Sequence, residues 1–119
     1  MEKILKFGED HEVKMKSSGA IPYMYRRLFN KDLFLGMDDL YRRMGGKKSA
    51  ELNPDDLEMI ERLAYCFAKH ADPAGVPDDI ETWLGTFEIM DIYDKFPEII
   101  EMWEQDNVST SKLKKKAGQ

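Results

Sequence analysis

The run Gly45-Gly46-Lys47-Lys48-Ser49 carries the residue types that cradle phosphate. A phosphate loop needs a glycine five positions ahead of its Gly-Lys pair and a buried strand leading into it. Tyr41 stands at that position before Gly46, and no strand-like run precedes it. The stretch Gly45 to Leu52 therefore reads as a solvated loop. Asp72 to Glu81 is rich in acids but lacks the alternating ligand spacing and fixed glycine of a calcium loop. Those acids read as helix-end residues. His11 has no second ligand near it in sequence and reads as a strand-edge residue. Cys66 is the single cysteine, so no disulfide can form within the chain. It falls inside a helical pattern and reads as a packing residue, with a reactive thiol as the alternative. A lone thiol fits a reducing compartment. No serine-histidine pairing with an orienting acid, zinc-ligand cluster or glycine-rich cradle is visible. The expectation is no enzyme activity, with no catalytic residue, cofactor or metal.

The elements that would position these residues are mostly helical. Lys3 to Phe7 and His11 to Lys16 read as two short strands around a Gly8-Glu9-Asp10 turn. In the second, His11, Val13 and Met15 alternate with Glu12, Lys14 and Lys16, the period of a half-buried strand. Leu5 and Phe7 supply the facing apolar side chains. A lone hairpin is marginal, so it must lie on the helices.

Ile21, Met24, Tyr25 and Leu28 form one apolar stripe, with Pro22 in the first turn, where its missing N–H costs nothing. Asn30, tolerant of the left-handed conformation, ends that helix. Asp32 caps the next, whose stripe is Leu33, Met37, Leu40, Tyr41 and Met44. Asn53-Pro54-Asp55-Asp56 is a strong helix start, with cap, first-turn proline and two acids at the positive end. Leu57, Ile60, Leu63, Ala64, Phe67, Ala68 and Ala71 then mark the helix expected at the centre of the core. His70, near its end, would favour the helix dipole if protonated. A loop at Asp72-Pro73-Ala74-Gly75 leads to a helix opened by Pro77-Asp78-Asp79, with Ile80, Trp83, Leu84 and Phe87 inward. Glu88 to Asp94 reads as a connector. Phe96, Ile99, Ile100 and Trp103 line a last helix with Pro97 in its first turn, and Met102 falls off that stripe.

The chain has 119 residues, with 18 Lys and Arg against 23 Asp and Glu, a net charge of −5. That length sets one domain, able to bury somewhat over ~60% of its unfolded surface. Residues 1–106 read as that domain and residues 107–119 as a disordered basic tail without periodicity. The start is too charged and short for a signal peptide, and no apolar run approaches the ~20 residues of a membrane span. The expected fold is mainly α: a two-stranded hairpin packed on a bundle of about five helices.

Ser17-Ser18-Gly19-Ala20, the helix bearing Tyr25-Arg26-Arg27, and Phe29-Asn30-Lys31-Asp32-Leu33 together resemble the tail assembly chaperones of long-tailed phages and prophages of Gram-positive bacteria. The order of parts is similar too: a hairpin, a helix pair, and further helices closing in an acidic Trp-bearing segment, here Phe96 to Gln105, before a polar tail. Pro22 early in the first helix is a departure, as is Asn30, at a position where the family often carries glycine. The resemblance implies a non-enzymatic factor, in the host bacterial cytoplasm and absent from the mature virion. It would bind the tape-measure protein and assist tail-tube assembly, contacting the tail-tube protein through a frameshifted extension. Lys114-Lys115-Lys116 is compatible with a slippery run of adenines. No nucleic acid or membrane partner is expected.

A DNA-binding regulator is the alternative, since the corner between the first two helices could mimic a helix-turn-helix and Arg26, Arg27, Arg42 and Arg43 supply basic charge; another phage connector or adaptor is a third. The acidic chain argues against DNA. Charge also points to self-association. Residues 1–50 carry a net +4 and residues 51–106 a net −13, so copies could meet basic face to acidic face as a homo-oligomer. The alternative is that the two halves neutralise each other within one monomer. Met90, Tyr93, Ile99, Met102 and Trp103 are the expected protein-interaction residues.

Overall fold

A computed structural model describes residues 1–44 and 52–105. The glycine-rich loop and the basic tail read from the sequence lie outside the described residues, as does all but Leu52 of the segment before Asn53. Strands β1 (Glu2–Phe7) and β2 (His11–Lys16) pair antiparallel with Glu2 opposite Lys16 and Phe7 opposite His11. They are followed by α1 (Ala20–Phe29), α2 (Leu33–Met44), α3 (Pro54–Ala71), α4 (Ile80–Leu84) and α5 (Ile89–Tyr93). The chain is helical again over 96–105, here α6. The protein is thus mostly helical with an N-terminal hairpin, as the periodicities predict.

Gly8 makes the hairpin turn possible. Its φ of 70° is one that side-chain-bearing residues rarely adopt, and the carboxylate of Asp91 on α5 stands 2.8 Å from where a Cβ would be. One face of the sheet, Leu5, Phe7 and Met15, is buried against α3, while Ile4 on the other face stays in solvent. Ser17 closes the sheet end by exchanging backbone hydrogen bonds with Met1 at 2.7 and 2.8 Å.

Helix α3 is the axis of the core. Ile60, Leu63, Ala64, Tyr65, Cys66, Phe67 and Ala68 are all buried along it. Asn53 caps it as expected: its side chain accepts from the Asp56 N–H at 2.8 Å, and Asp56 accepts from the Asn53 N–H at 2.9 Å. β2, α1 and α2 pack around α3. Aromatic rings bind the layers: Phe7 meets Trp83 and Phe87, and Tyr65 meets Trp83 and Phe29 at centroid distances of 5.0–6.3 Å.

Asn30 takes the left-handed conformation, φ 54°, and its N–H donates to the Arg26 carbonyl. Asp32 caps α2 by accepting from the Leu35 N–H at 3.2 Å. Both readings of this corner hold. Four expectations change. Pro77 lies outside α4, which Asp79 caps by accepting from the Thr82 N–H and hydroxyl. The stretch read as a connector forms the single turn α5. On α1 the buried arc is rotated toward Phe29, leaving Leu28 at the surface, because Phe29 reaches the Tyr25 and Tyr65 rings. On α6 it is rotated away from Ile100, so Met102 is fully buried with Phe96, Ile99 and Trp103.

Candidate protein-interaction surfaces

The side chains that could do chemistry are drawn into structural work. Cys66 is buried on α3, and burial pushes its thiol up to about 12, which keeps it protonated and unreactive. His11 is exposed at the hairpin turn, edge-on to Phe87 with centroids 5.4 Å apart. His70 and Ser18, 52 residues apart, meet at 2.9 Å where the end of β2 reaches the end of α3. Sequence reasoning missed this pair because only hairpin packing brings it together. Among the described residues no orienting acid acts on it. Burial, then Lys16 and the Met1 ammonium, push the His70 pKa down. The helix end therefore disfavours a protonated imidazole, and a base flanked by cations is poorly placed to gain a proton from Ser18.

The acid-rich loop after α3 is organised around a cation of the chain itself. Lys69 Nζ donates to the Pro73 carbonyl at 2.9 Å, the Val76 carbonyl at 2.7 Å and Asp78 Oδ1 at 2.7 Å. Asp72 accepts from the Gly75 N–H at 3.0 Å, and Tyr65 donates its hydroxyl to the Pro77 carbonyl. The ammonium thus gathers the loop's carbonyls and Asp78 around itself. A lysine in the last turn of a helix leading into acids was the signal that could have shown it. Among the described residues no group of three or more His, Cys, Asp or Glu is arranged to hold a metal ion.

Arg42 and Arg43 pair with the fold's own acids, Arg42 in solvent and Arg43 partly buried. Arg42 pairs with Asp38. Arg43 donates to Asp39 at 3.0 Å and, through both terminal nitrogens, to the buried carboxylate of Asp56. Arg43 holds the Asp56 carboxyl below the usual carboxylate range. The pair ties the end of α2 to the first turn of α3. Arg43, one of the four arginines of the DNA-binding alternative, is thus committed to a buried carboxylate within the fold.

Exposed apolar side chains stand singly at Met1, Ile4 and Tyr23 and in groups at two places. At the α1–α2 corner Leu28, Phe34 and Leu35 are 36%, 54% and 68% exposed. At α5, Ile89 and Met90 are 81% and 57% exposed. Of the residues expected to face a partner, only Met90 stands well out. Tyr93 is half-buried, its ring against Phe96 and its hydroxyl 3.5 Å from Glu61. Ile99, Met102 and Trp103 are corrected to core positions: α6 turns them inward, and Trp103 carries the exposed Phe34 ring at 5.4 Å. Sequence reasoning missed Phe34, Leu35 and Ile89. Phe34 and Leu35 lie off the α2 stripe, a signal available from periodicity.

The two surfaces differ in charge. Arg26, Arg27 and Lys31 are exposed at the corner, and residues 26–31 include no acid. Glu88, Asp91 and Asp94 flank Ile89 and Met90, and residues 88–94 include no cation. Among the described residues no helix is long and apolar enough to cross a membrane. Compared with protein-family models, curated proteins and solved structures, the chain gives no match.

Proposed function

We propose that this protein is a non-enzymatic tail assembly chaperone of a phage or prophage, acting on the tape-measure protein in the host bacterial cytoplasm and leaving before the virion is complete. The observation that carries the reading is the Asn30 corner. The segment with the strongest resemblance to that family is the one that puts Leu28, Phe34 and Leu35 into solvent. A long helical ruler exposes apolar stripes before the tube encloses it, and such stripes aggregate unless covered. An apolar corner rimmed by cations suits a helix laid with its apolar face inward. The order of hairpin, helix pair, long central helix and closing acidic helix supports the same reading. The tail-tube protein would be recruited through a frameshifted extension after the lysines at 114–116, and the gene sequence there decides that part.

The test is co-expression with the tape-measure protein encoded beside this gene. The chain should raise the soluble fraction of the tape-measure protein and co-purify with it. Phe34→Asp with Leu35→Asp should abolish both while leaving the circular dichroism spectrum unchanged. Equal solubility with and without the chain overturns the reading. Binding to duplex DNA at physiological salt would move the assignment to a regulator.

A further inference from the structure

The two exposed apolar surfaces carry opposite charge, and they cannot meet within one molecule. Tyr93 of α5 contacts Phe96 at the start of α6, and Phe34 of the corner contacts Trp103 near its end. The stretch of helix from Phe96 to Trp103 separates them by about 10 Å at the rise of an α-helix. We propose that α5 of one copy, through Ile89 and Met90, docks on the Leu28, Phe34 and Leu35 corner of a second copy. Glu88 and Asp94 of the first then face Arg26, Arg27 and Lys31 of the second. None of these five charged side chains is in an ion pair among the described residues, and Arg26 lies over the Tyr23 ring at 5.8 Å. They are available for pairing between copies.

The occupant is a second copy because both halves of the contact are built on this chain. Apolar pairs of this size hold weakly, and the flanking charges steer the encounter and set its register. The contact joins different surfaces, so one copy of a pair keeps a free corner and the other a free α5. Such contacts propagate into rings or open arrays and do not close as a two-fold dimer. Repetition along a chain lets weak contacts sum. This inference does not rest on the chaperone reading, because it concerns the purified chain alone. The two occupants would compete for the corner, and Glu88→Lys/Asp94→Lys, which spares the corner, separates them: it should remove self-assembly and leave capture of a tape-measure protein intact.

Sedimentation velocity on the full chain over a concentration series, in low and in high salt, tests it. The average mass should rise with concentration and fall as salt screens the charges. The variant Arg26→Glu/Arg27→Glu/Lys31→Glu and the variant Glu88→Lys/Asp94→Lys should each be monomeric, since each carries like charge on both surfaces. An equal mixture of the two should assemble again, because each then meets its complement. Leu35→Ser and Ile89→Ser, which change no charge, should each weaken assembly. A wild type that stays monomeric in low salt at every concentration overturns the proposal. So does a closed dimer indifferent to both charge reversals, or a mixture of the folded variants that remains monomeric.

Discussion

Helix α3 turns nine of its eighteen residues inward, whereas α4 and α5, five residues each, bury one apiece, Trp83 and Ile92. The difference is one of cooperativity. A helix of five turns repeats its apolar stripe often enough to be held by packing along its length. A single turn cannot, and its ends must hold it. Asp79 caps α4 through Thr82, and the Asp91 carboxylate accepts from the Glu88 N–H at 3.0 Å on α5. Trp83 and Phe87 then anchor the segment to Phe7 of the hairpin. Because so little of α5 is covered, Ile89 and Met90 remain in solvent. The long helix makes the fold, and the short one is left free to meet something else.

The sharpest way to break this comparison is to place one carboxylate in each region. Leu63→Asp sets an unpaired charge in the core, a penalty comparable to the whole ~5–15 kcal/mol that holds a domain together. Phe67→Asp is equivalent. Both variants should show no cooperative thermal transition by circular dichroism. Ile89→Asp should melt within about 0.5 kcal/mol of wild type, as surface substitutions do. Loss of the transition in Ile89→Asp would mean that α5 belongs to the core after all.

A smaller effect belongs to the joint between α2 and α3. Asp56→Ala removes half of the capping box and leaves Arg43 without its buried partner, at a cost of about 2–3 kcal/mol by urea unfolding. Its pH dependence has a fixed sign. The folded Asp56 pKa lies below the unfolded value of about 3.9, so its contribution is complete above that value. It is lost as pH falls through the folded pKa. The stability gap between wild type and Asp56→Ala should close in acid, and a gap constant down to strongly acid pH would show that Arg43 is not its source.

How much of this was readable without coordinates follows the same division. The long stripes of α2 and α3 and the caps at Asp32 and Asn53 were legible, because periodicity over several turns and a cap's side-chain type are local properties. Asn30 was legible for the same reason. The register of burial on α1 and α6 was not. Leu28 fits the α1 stripe by spacing, but the covering element stops short of it, and Phe29 is drawn in by Tyr25 and Tyr65. Met102 lies off the α6 stripe, yet the neighbours of α6 cover that side. Which part of an arc is buried depends on what packs there, and no local pattern carries that. Of the surfaces, the charge asymmetry and Met90 were visible, while Ile99, Met102 and Trp103 were assigned outward although the monomer's own core takes them.

Lys69 tests the loop that joins the two regions. Lys69→Met keeps the aliphatic stem but leaves the Pro73 and Val76 carbonyls and Asp78 without their shared donor. The cost should be about 1–2 kcal/mol and local to residues 72–79. Hydrogen exchange should quicken there and stay unchanged in the middle of α3. Uniform acceleration throughout would mean that the loop and α3 open as one unit.

The smallest expected effect concerns His70, at the end of α3 where the hairpin meets it. Its imidazole shares a hydrogen bond with the Ser18 hydroxyl, which also accepts from the Ala20 N–H at 3.1 Å. Protonation leaves a donor at Nε2, so the bond itself can survive. The charge is opposed first by burial and then by Lys16 and the Met1 ammonium, so the folded pKa lies below the unfolded value of about 6.5. Between the two values the unfolded chain binds more proton than the folded one, and stability must rise with pH across that window. Lowering the pH from neutral should therefore destabilise wild type until His70 is protonated in both states. Glu61, whose carboxyl burial pushes up, contributes a slope of the opposite sign, so the absolute curve mixes the two. Comparing wild type with His70→Gln in urea at each pH isolates the imidazole. The variant should lose stability less steeply as pH falls below neutral. Parallel curves would show that His70 titrates alike in both states and that the cations at the hairpin end are too well screened to matter.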